Sequence, residues 1–167
     1  FSAAPVCVGF TTSFFDLSTI DSLVSGTNDS ITTWNWNFAD GTFSNQQNPE
    51  HSYLNSGTYL VNLSVTSDKG CERNANKPVV VWAAPQNPII TEDTVCLGKN
   101  AVLFATSALQ DQVRWYESPS LLQNHFFAGN LYQTPPVSME QTYYVITRTP
   151  NGCVSPFVPI HAYLYPE

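Results

Sequence analysis

The residues of this 167-residue chain that could carry chemistry are 3 histidines, 13 carboxylates, 4 cysteines and a large complement of rings, 4 Trp, 8 Tyr and 10 Phe. His51, His125 and His161 stand far apart, with no two at the i, i+2 or i, i+4 spacing that offers paired imidazoles to zinc. Serines and aspartates are plentiful, but a Ser-His-Asp set needs a signposted nucleophile, and no G-x-S-x-G occurs. Asp40 begins no D-x-[DN]-x-[DN]-G loop closed by a Glu, so a calcium loop is not indicated. Paired carboxylates for glycoside hydrolysis would need a cleft, whereas small β modules fill their interiors with their own core. No catalytic residue, metal ligand or cofactor is assigned, and the chain is expected not to be an enzyme.

Cys7, Cys71, Cys96 and Cys153 show no C-x-x-C and no nearby His pair, so they read as disulfide cysteines of an oxidising, extracellular compartment. Val6-Cys7-Val8-Gly9 recurs as Val95-Cys96-Leu97-Gly98, and Gly70-Cys71 recurs as Gly152-Cys153. Such repetition marks two modules with one cysteine layout. Four cysteines allow three connectivities. The repeat favours Cys7–Cys71 and Cys96–Cys153, one bridge within each module. The rings of Trp82, Phe126, Phe127 and Tyr132 are candidate glycan contacts, since exposed rings stack on sugar faces and the chain is rich in Asn, Gln, Ser and Thr. The competing expectation is that they fill the second core and the domain interface.

The elements that would position these groups are strands. Trp34, Trp36 and Phe38 alternate with polar neighbours, as do Tyr59, Val61, Leu63 and Val65, and period two puts each set on one face of a half-buried strand. Asp40-Gly41 marks a turn, Ser67–Gly70 a hairpin loop and Pro78–Trp82 a closing strand. Asn100–Thr106, Gln112–Tyr116, Thr142–Arg148 and Val158–Leu164 read as strands of the second module, with Asn151-Gly152 as a type I′ hairpin between the last two. No helical periodicity extends over eleven positions. The expected fold is all-β, two tandem Ig-like β-sandwiches over residues 1–83 and 84–167, joined by a short, semi-rigid Pro-containing linker at 84–88.

A net charge of −7, with only 6 Lys plus Arg, argues against nucleic acid and anionic membrane as partners. No run of eighteen apolar residues and no basic n-region with an apolar h-region occurs, so the piece is expected to be neither membrane-spanning nor signal-bearing. The chain begins without Met and reads as a processed or excised piece of a larger protein.

Trp34-x-Trp36-x-Phe38-Ala39-Asp40-Gly41, Pro49-x-His51-x-Tyr53, Gly57-x-Tyr59-x-Val61-x-Leu63-x-Val65 and Phe15-x-x-Ser18 closely resemble the signature of the PKD (polycystic kidney disease) domain. The resemblance implies that His51 packs beside the W-x-W strand and that Asp40 accepts hydrogen bonds from turn amides. Ala39 stands where the family has Gly, so it is expected at negative φ. V-C-x-G, Trp115-Tyr116, Thr142-Tyr143-Tyr144-Val145 and Gly152-Cys153 resemble the Ig-like modules that follow PKD domains in large secreted and surface proteins of gliding Gram-negative bacteria. That likeness brings an O-glycosylation sequon, Asp then Ser or Thr then an apolar residue, which would place sugars on Ser22, Ser30 and Thr94 in exposed connections. Together the resemblances imply a secreted or cell-surface spacer or adhesion segment. Its partners would be other domains of the same polypeptide, and a polysaccharide or surface protein. The alternative is a carbohydrate-binding accessory module of a polysaccharide-degrading enzyme.

Overall fold

In the computed structural model the described residues are 1–20, 29–108, 110–120 and 125–166. The chain divides into two compact units, Phe1–Ala83 and Ala84–Glu167, and among the described residues neither contains a helix.

In the first unit the strands are β1 (Ser2–Ala3), β2 (Val6–Cys7), β3 (Thr11–Phe15), β4 (Ile31–Asn37), β5 (Phe43–Ser44), β6 (Glu50–Ser52), β7 (Gly57–Ser67) and β8 (Glu72–Trp82). They form a five-stranded sheet, β2-β8-β7-β4-β5, and a three-stranded one, β1-β3-β6. Alternation along β4 and β7 buries Trp36, Val61, Leu63 and Val65 on one face, and Phe38 follows them inward just past the end of β4. Phe1, Phe14 and Tyr53 come into the same cluster, so the core of this sandwich is largely aromatic. Its rings meet edge-on and tilted, with Phe1 5.0 Å and Phe14 5.5 Å from Trp36. Such contacts add roughly 0.5–1.5 kcal/mol per pair beyond burial.

The closing strand is longer than its apolar end suggests. β8 begins at Glu72 and pairs with β7 from Glu72 to Val81, although Glu-Arg-Asn-Ala-Asn-Lys carries no apolar alternation. Only Val79 and Val81 of β8 are buried. Pro78 is tolerated because β2, the neighbour on the other side, pairs only at Val81 and Trp82, which leaves β8 a free edge at the proline.

Ala39 lies at φ 64°, in the left-handed region, contrary to the expectation of negative φ. The turn from β4 to β5 imposes this. Phe38 N–H donates to the Thr42 carbonyl at 3.2 Å, and Ala39 N–H donates to Asn37 Oδ1 at 2.9 Å. Closing the ladder therefore overrides a strain of roughly 1–2 kcal/mol at an L-residue. Ala39→Gly removes the strain but gives the unfolded chain more freedom, a term of about 0.4–1 kcal/mol in the other direction. A small net gain, a rise of a few degrees in the melting temperature of the first unit, is expected by calorimetry; a fall would mean that the Ala39 methyl contributes packing.

The second unit contains β9 (Ile89–Thr91), β10 (Asp93–Val95), β11 (Asn100–Thr106), β12 (Gln112–Tyr116), β13 (Phe127–Ala128), β14 (Leu131–Pro136), β15 (Gln141–Arg148) and β16 (Val158–Leu164). The sheets are β10-β16-β15-β12-β13 and β14-β11-β9. Between them lie Leu103, Val113, Trp115, Val145 and Ile160, each almost wholly buried. Asn151-Gly152 does not make a two-residue type I′ connection. Gly152 N–H donates to the Thr149 carbonyl and Thr149 N–H to that of Cys153, with Gly152 alone at positive φ. This is a type I turn carrying Pro150 and Asn151 at its centre, followed by a left-handed glycine. β16 then starts only at Val158.

Candidate functional site

The densest polar cluster in the first unit is Asp40, Thr42 and His51. Asp40 Oδ1 accepts from Thr42 N–H at 3.0 Å and from Thr42 Oγ1 at 2.6 Å, while His51 Nε2 lies 2.7 Å from Asp40 Oδ2. His51 stacks on Phe38 with centroids 4.1 Å apart and meets the edge of Tyr53 at 4.6 Å. Aspartate, imidazole and hydroxyl are all present, but in the wrong order for nucleophilic catalysis. The nitrogen facing Asp40 is the same one that lies 3.4 Å from Thr42 Oγ1, so no carboxylate orients the ring from its far side. The cluster is a clamp that fastens the turn to the core. Burial pushes the Asp40 carboxyl up, but the hydrogen bonds from Thr42 and His51 outweigh it and hold the group below the usual aspartate range. Asp16 behaves alike. Bonds from Ser18, Trp34 Nε1 and Gln47 overcome its desolvation and leave it lowered.

These two shifts fix a pH dependence. A carboxyl whose folded pKa lies below its unfolded value of about 3.9 stabilises the fold fully above that value and loses this contribution as pH falls through the folded pKa. The first unit is therefore expected to lose stability below about pH 4, and Asp40→Asn to flatten that dependence. Thermal melts from neutral pH down to acid, wild type against variant, provide the check; parallel curves would dismiss the clamp.

The candidate aromatic contacts are packed against one another. Phe126 meets Tyr132 edge-on at 4.9 Å, Phe127 lies tilted 5.7 Å from Tyr132, and Tyr132 meets Tyr143 edge-on at 5.2 Å. Phe127 and Tyr132 are half-buried against the second core, Trp82 is half-buried at the end of β8, and Phe126 is exposed. These rings do not share a plane. Burial, with Tyr132 and Glu117 adding to it, pushes the Tyr143 phenol up to about 12. A separate open groove of about 420 Å³ lies on the first unit, lined by Thr33, Trp34, Asn35, Asn45, Ser64 and Thr66. Sequence reading missed it, because alternation assigned Trp34 to the core face and marked Thr33, Asn35, Ser64 and Thr66 only as polar outward positions. Ser30 is exposed just before β4, and Thr94 is exposed but lies within β10 rather than in a connection. Ser22 falls outside the described residues. Among the described residues no three His, Cys, Asp or Glu side chains gather as a metal site.

The cysteines depart from expectation. Cys71 and Cys96 are exposed free thiols, and Cys7 and Cys153 are disulfide-bonded, so neither Cys7–Cys71 nor Cys96–Cys153 is formed. The reason is strand length. Cys7 pairs in register with Trp82 at the end of β8, whereas Cys71 precedes its first residue. Eleven residues of strand set the two roughly 35 Å apart, and a disulfide needs Cα atoms within about 7 Å. In the second unit Cys96 follows Val95, which is in register with Leu164, while Cys153 lies beside Arg148 at the other end of the sheet, roughly 30 Å away.

Residues 2–83 match the family described as the PKD domain, and residues 83–166 match the Ig-like domain described as CHU_C associated. The chain belongs to these two families, in that order. It is 34% identical over 89 residues to collagenase ColA of Bacillus cereus, a stretch that is 53% of this chain and 9% of that protein. A microbial collagenase of Vibrio alginolyticus is 38% identical over 64 residues, 38% of this chain and 8% of that protein. The chain thus spans less than a tenth of the length of these curated relatives. A solved PKD1 domain of Vibrio anguillarum Epp aligns at 26% identity, covering 49% of this chain and 90% of that domain, with a TM-score of 0.41. The Asp40–His51 clamp and the groove beside Trp34 therefore belong to the PKD domain, and the Phe126–Tyr132–Tyr143 ring cluster to the Ig-like domain.

Proposed function

We propose that this chain is a non-catalytic segment of a larger secreted or cell-surface bacterial protein, where its two sandwiches serve as a spacer or adhesion segment. The observation that carries this reading is the fate of the rings. Phe127, Tyr132 and Tyr143 pack edge-on and tilted into the second core instead of forming a coplanar strip that a sugar chain could lie along. The similarity to under a tenth of two bacterial collagenases fits a building block of long polypeptides. The disulfide fits an oxidising compartment.

The groove of the PKD domain favours a second reading, a carbohydrate-binding accessory module. Hydroxyls and amides of Thr33, Asn35, Asn45 and Ser64 beside the Trp34 indole suit hydrogen bonding to sugar hydroxyls. Sedimentation of the chain with insoluble polysaccharides and with fibrillar collagen separates the two. A spacer stays in the supernatant with every matrix, and an adhesion segment sediments with collagen but not with polysaccharide. Retention on a polysaccharide that Asn35→Ala abolishes, with the fold intact, would replace the spacer by the binding module.

A further inference from the structure

Of the 6 Lys plus Arg residues in the chain, two meet at one open cavity of the Ig-like domain. This cavity of about 290 Å³ is lined by Gln110, Gln112, Arg114, Arg148, Thr149 and Pro150. Arg148 on β15 stands directly opposite Gln112 on β12, and Arg114 stands opposite Ile146. Val113 and Trp115 point into the core, so Gln112 and Arg114 take the outer face of the sheet. The two arginines are therefore diagonal cross-strand neighbours, roughly 7–8 Å apart, a separation that long side chains span.

Gln112 Oε1 accepts from Arg114 Nε at 2.9 Å, which fixes that fork and leaves both of its Nη groups. Arg148 lays its guanidinium along the turn after β15, with Nη2 3.6 Å from where a Cβ on Gly152 would stand. Among the described residues neither arginine pairs with a carboxylate, although the chain carries 13 Asp plus Glu. Two adjacent guanidiniums repel each other, and no carboxylate on the described residues offsets it. Gln110 is a second, independent signal. It lies at φ 79°, in the left-handed region that favours glycine, within a turn where Asp111 N–H donates to the Ala108 carbonyl at 3.1 Å. Strain of this kind at a non-glycine residue clusters at ligand sites, and here it sets an exposed amide at the cavity wall.

We propose that this cavity binds one acidic sugar residue, whose oxyanion, the carboxylate of a uronate or a sulfate ester, is held between Arg114 and Arg148. Each guanidinium presents paired N–H donors spaced for two oxygens of such a group. Gln110, Gln112 and Thr149 add amides and a hydroxyl for the ring hydroxyls. The volume lies at the low end for ligand sites, which suits a single residue. A net charge of −7 repels a densely charged polymer such as nucleic acid, which needs many more cations than two. The inference goes beyond the proposed function, which assigns no site to the Ig-like domain, and its test stands or falls apart from sedimentation of the chain.

The probes are galacturonate and galactose bearing a sulfate ester, with galactose as the neutral reference, added to the isotope-labelled full chain near neutral pH. The Nε–H resonances of Arg114 and Arg148 are expected to shift and saturate with at least one acid, at about a tenth or less of the concentration at which galactose has any effect. The tighter acid identifies carboxylate or sulfate as the natural group. Arg114→Gln and Arg148→Gln should each weaken binding by about tenfold or more, the loss of one charge-assisted contact, with the melting temperature held. Arg148→Lys keeps the charge without the fork and should fall between. Lys99→Gln removes an exposed cation elsewhere in the same domain and should change nothing. The proposal is overturned if neither acid shifts these resonances, if galactose shifts them equally, if acetate or inorganic sulfate binds as tightly as the sugar acids, or if Lys99→Gln weakens binding as much as Arg148→Gln.

Discussion

Trp36→Ala is expected to unfold the PKD domain at or near physiological temperature. The indole is fully buried, touches the rings of Phe1 and Phe14, and donates from Nε1 to the Gln46 carbonyl at 2.9 Å. Truncating a buried Trp costs about 3–5 kcal/mol. Small domains hold only about 5–15 kcal/mol in total. At roughly 4–8 °C per kcal/mol for a domain of this size, the melting temperature should fall by well over 10 °C. Trp36→Phe keeps most of the apolar volume and should fall between variant and wild type. Calorimetry reads both, and a Trp36→Ala melt within a few degrees of wild type would show that the site collapses around the missing ring.

Trp115→Ala should do the same to the Ig-like domain, with a second, spectroscopic consequence. Trp115 is fully buried in β12, packs 5.5 Å from Tyr132 and donates from Nε1 to the Gly129 carbonyl at 2.7 Å. It also pairs with Phe127 of β13. The loss, again about 3–5 kcal/mol, removes the wall against which Tyr132 leans and so opens the ring cluster around Tyr143. That phenol sits at about 12 because it is buried. Hydrating it lowers the pKa, so alkaline titration of phenolate absorbance should show one fewer late-ionising tyrosine. An unchanged titration alongside a lowered melting temperature would mean that the cluster stands without Trp115.

Alternation made both cores legible. Trp36 with Phe38 and Val61 with Leu63 and Val65 could be assigned to one interior because the pleat sends every second residue to the same face, whatever the rest of the fold does. Half of β8 and all of β14 were not legible for the complementary reason. Asn74, Asn76 and Lys77 are held in a strand by pairing with β7, and Pro135 and Pro136 sit on an edge strand, so neither stretch shows the pattern that burial writes. The groove beside Trp34 belongs to the same class, since most of its lining is outward polar residues brought together from different strands.

What the amino-acid sequence determined alone was local: strand faces, the glycine at each hairpin, the two-module repeat and the equivalence of its cysteines. Tertiary structure decided everything that depends on distance along a sheet or on closure of a turn. Ala39 took a left-handed conformation because β4 and β5 had to meet across it. Cys7 and Cys71 were parted because β2 runs parallel to β8 and joins it at the far end. A repeat says that two residues occupy equivalent places, but the length and direction of the strand between them determine whether their sulfurs can touch.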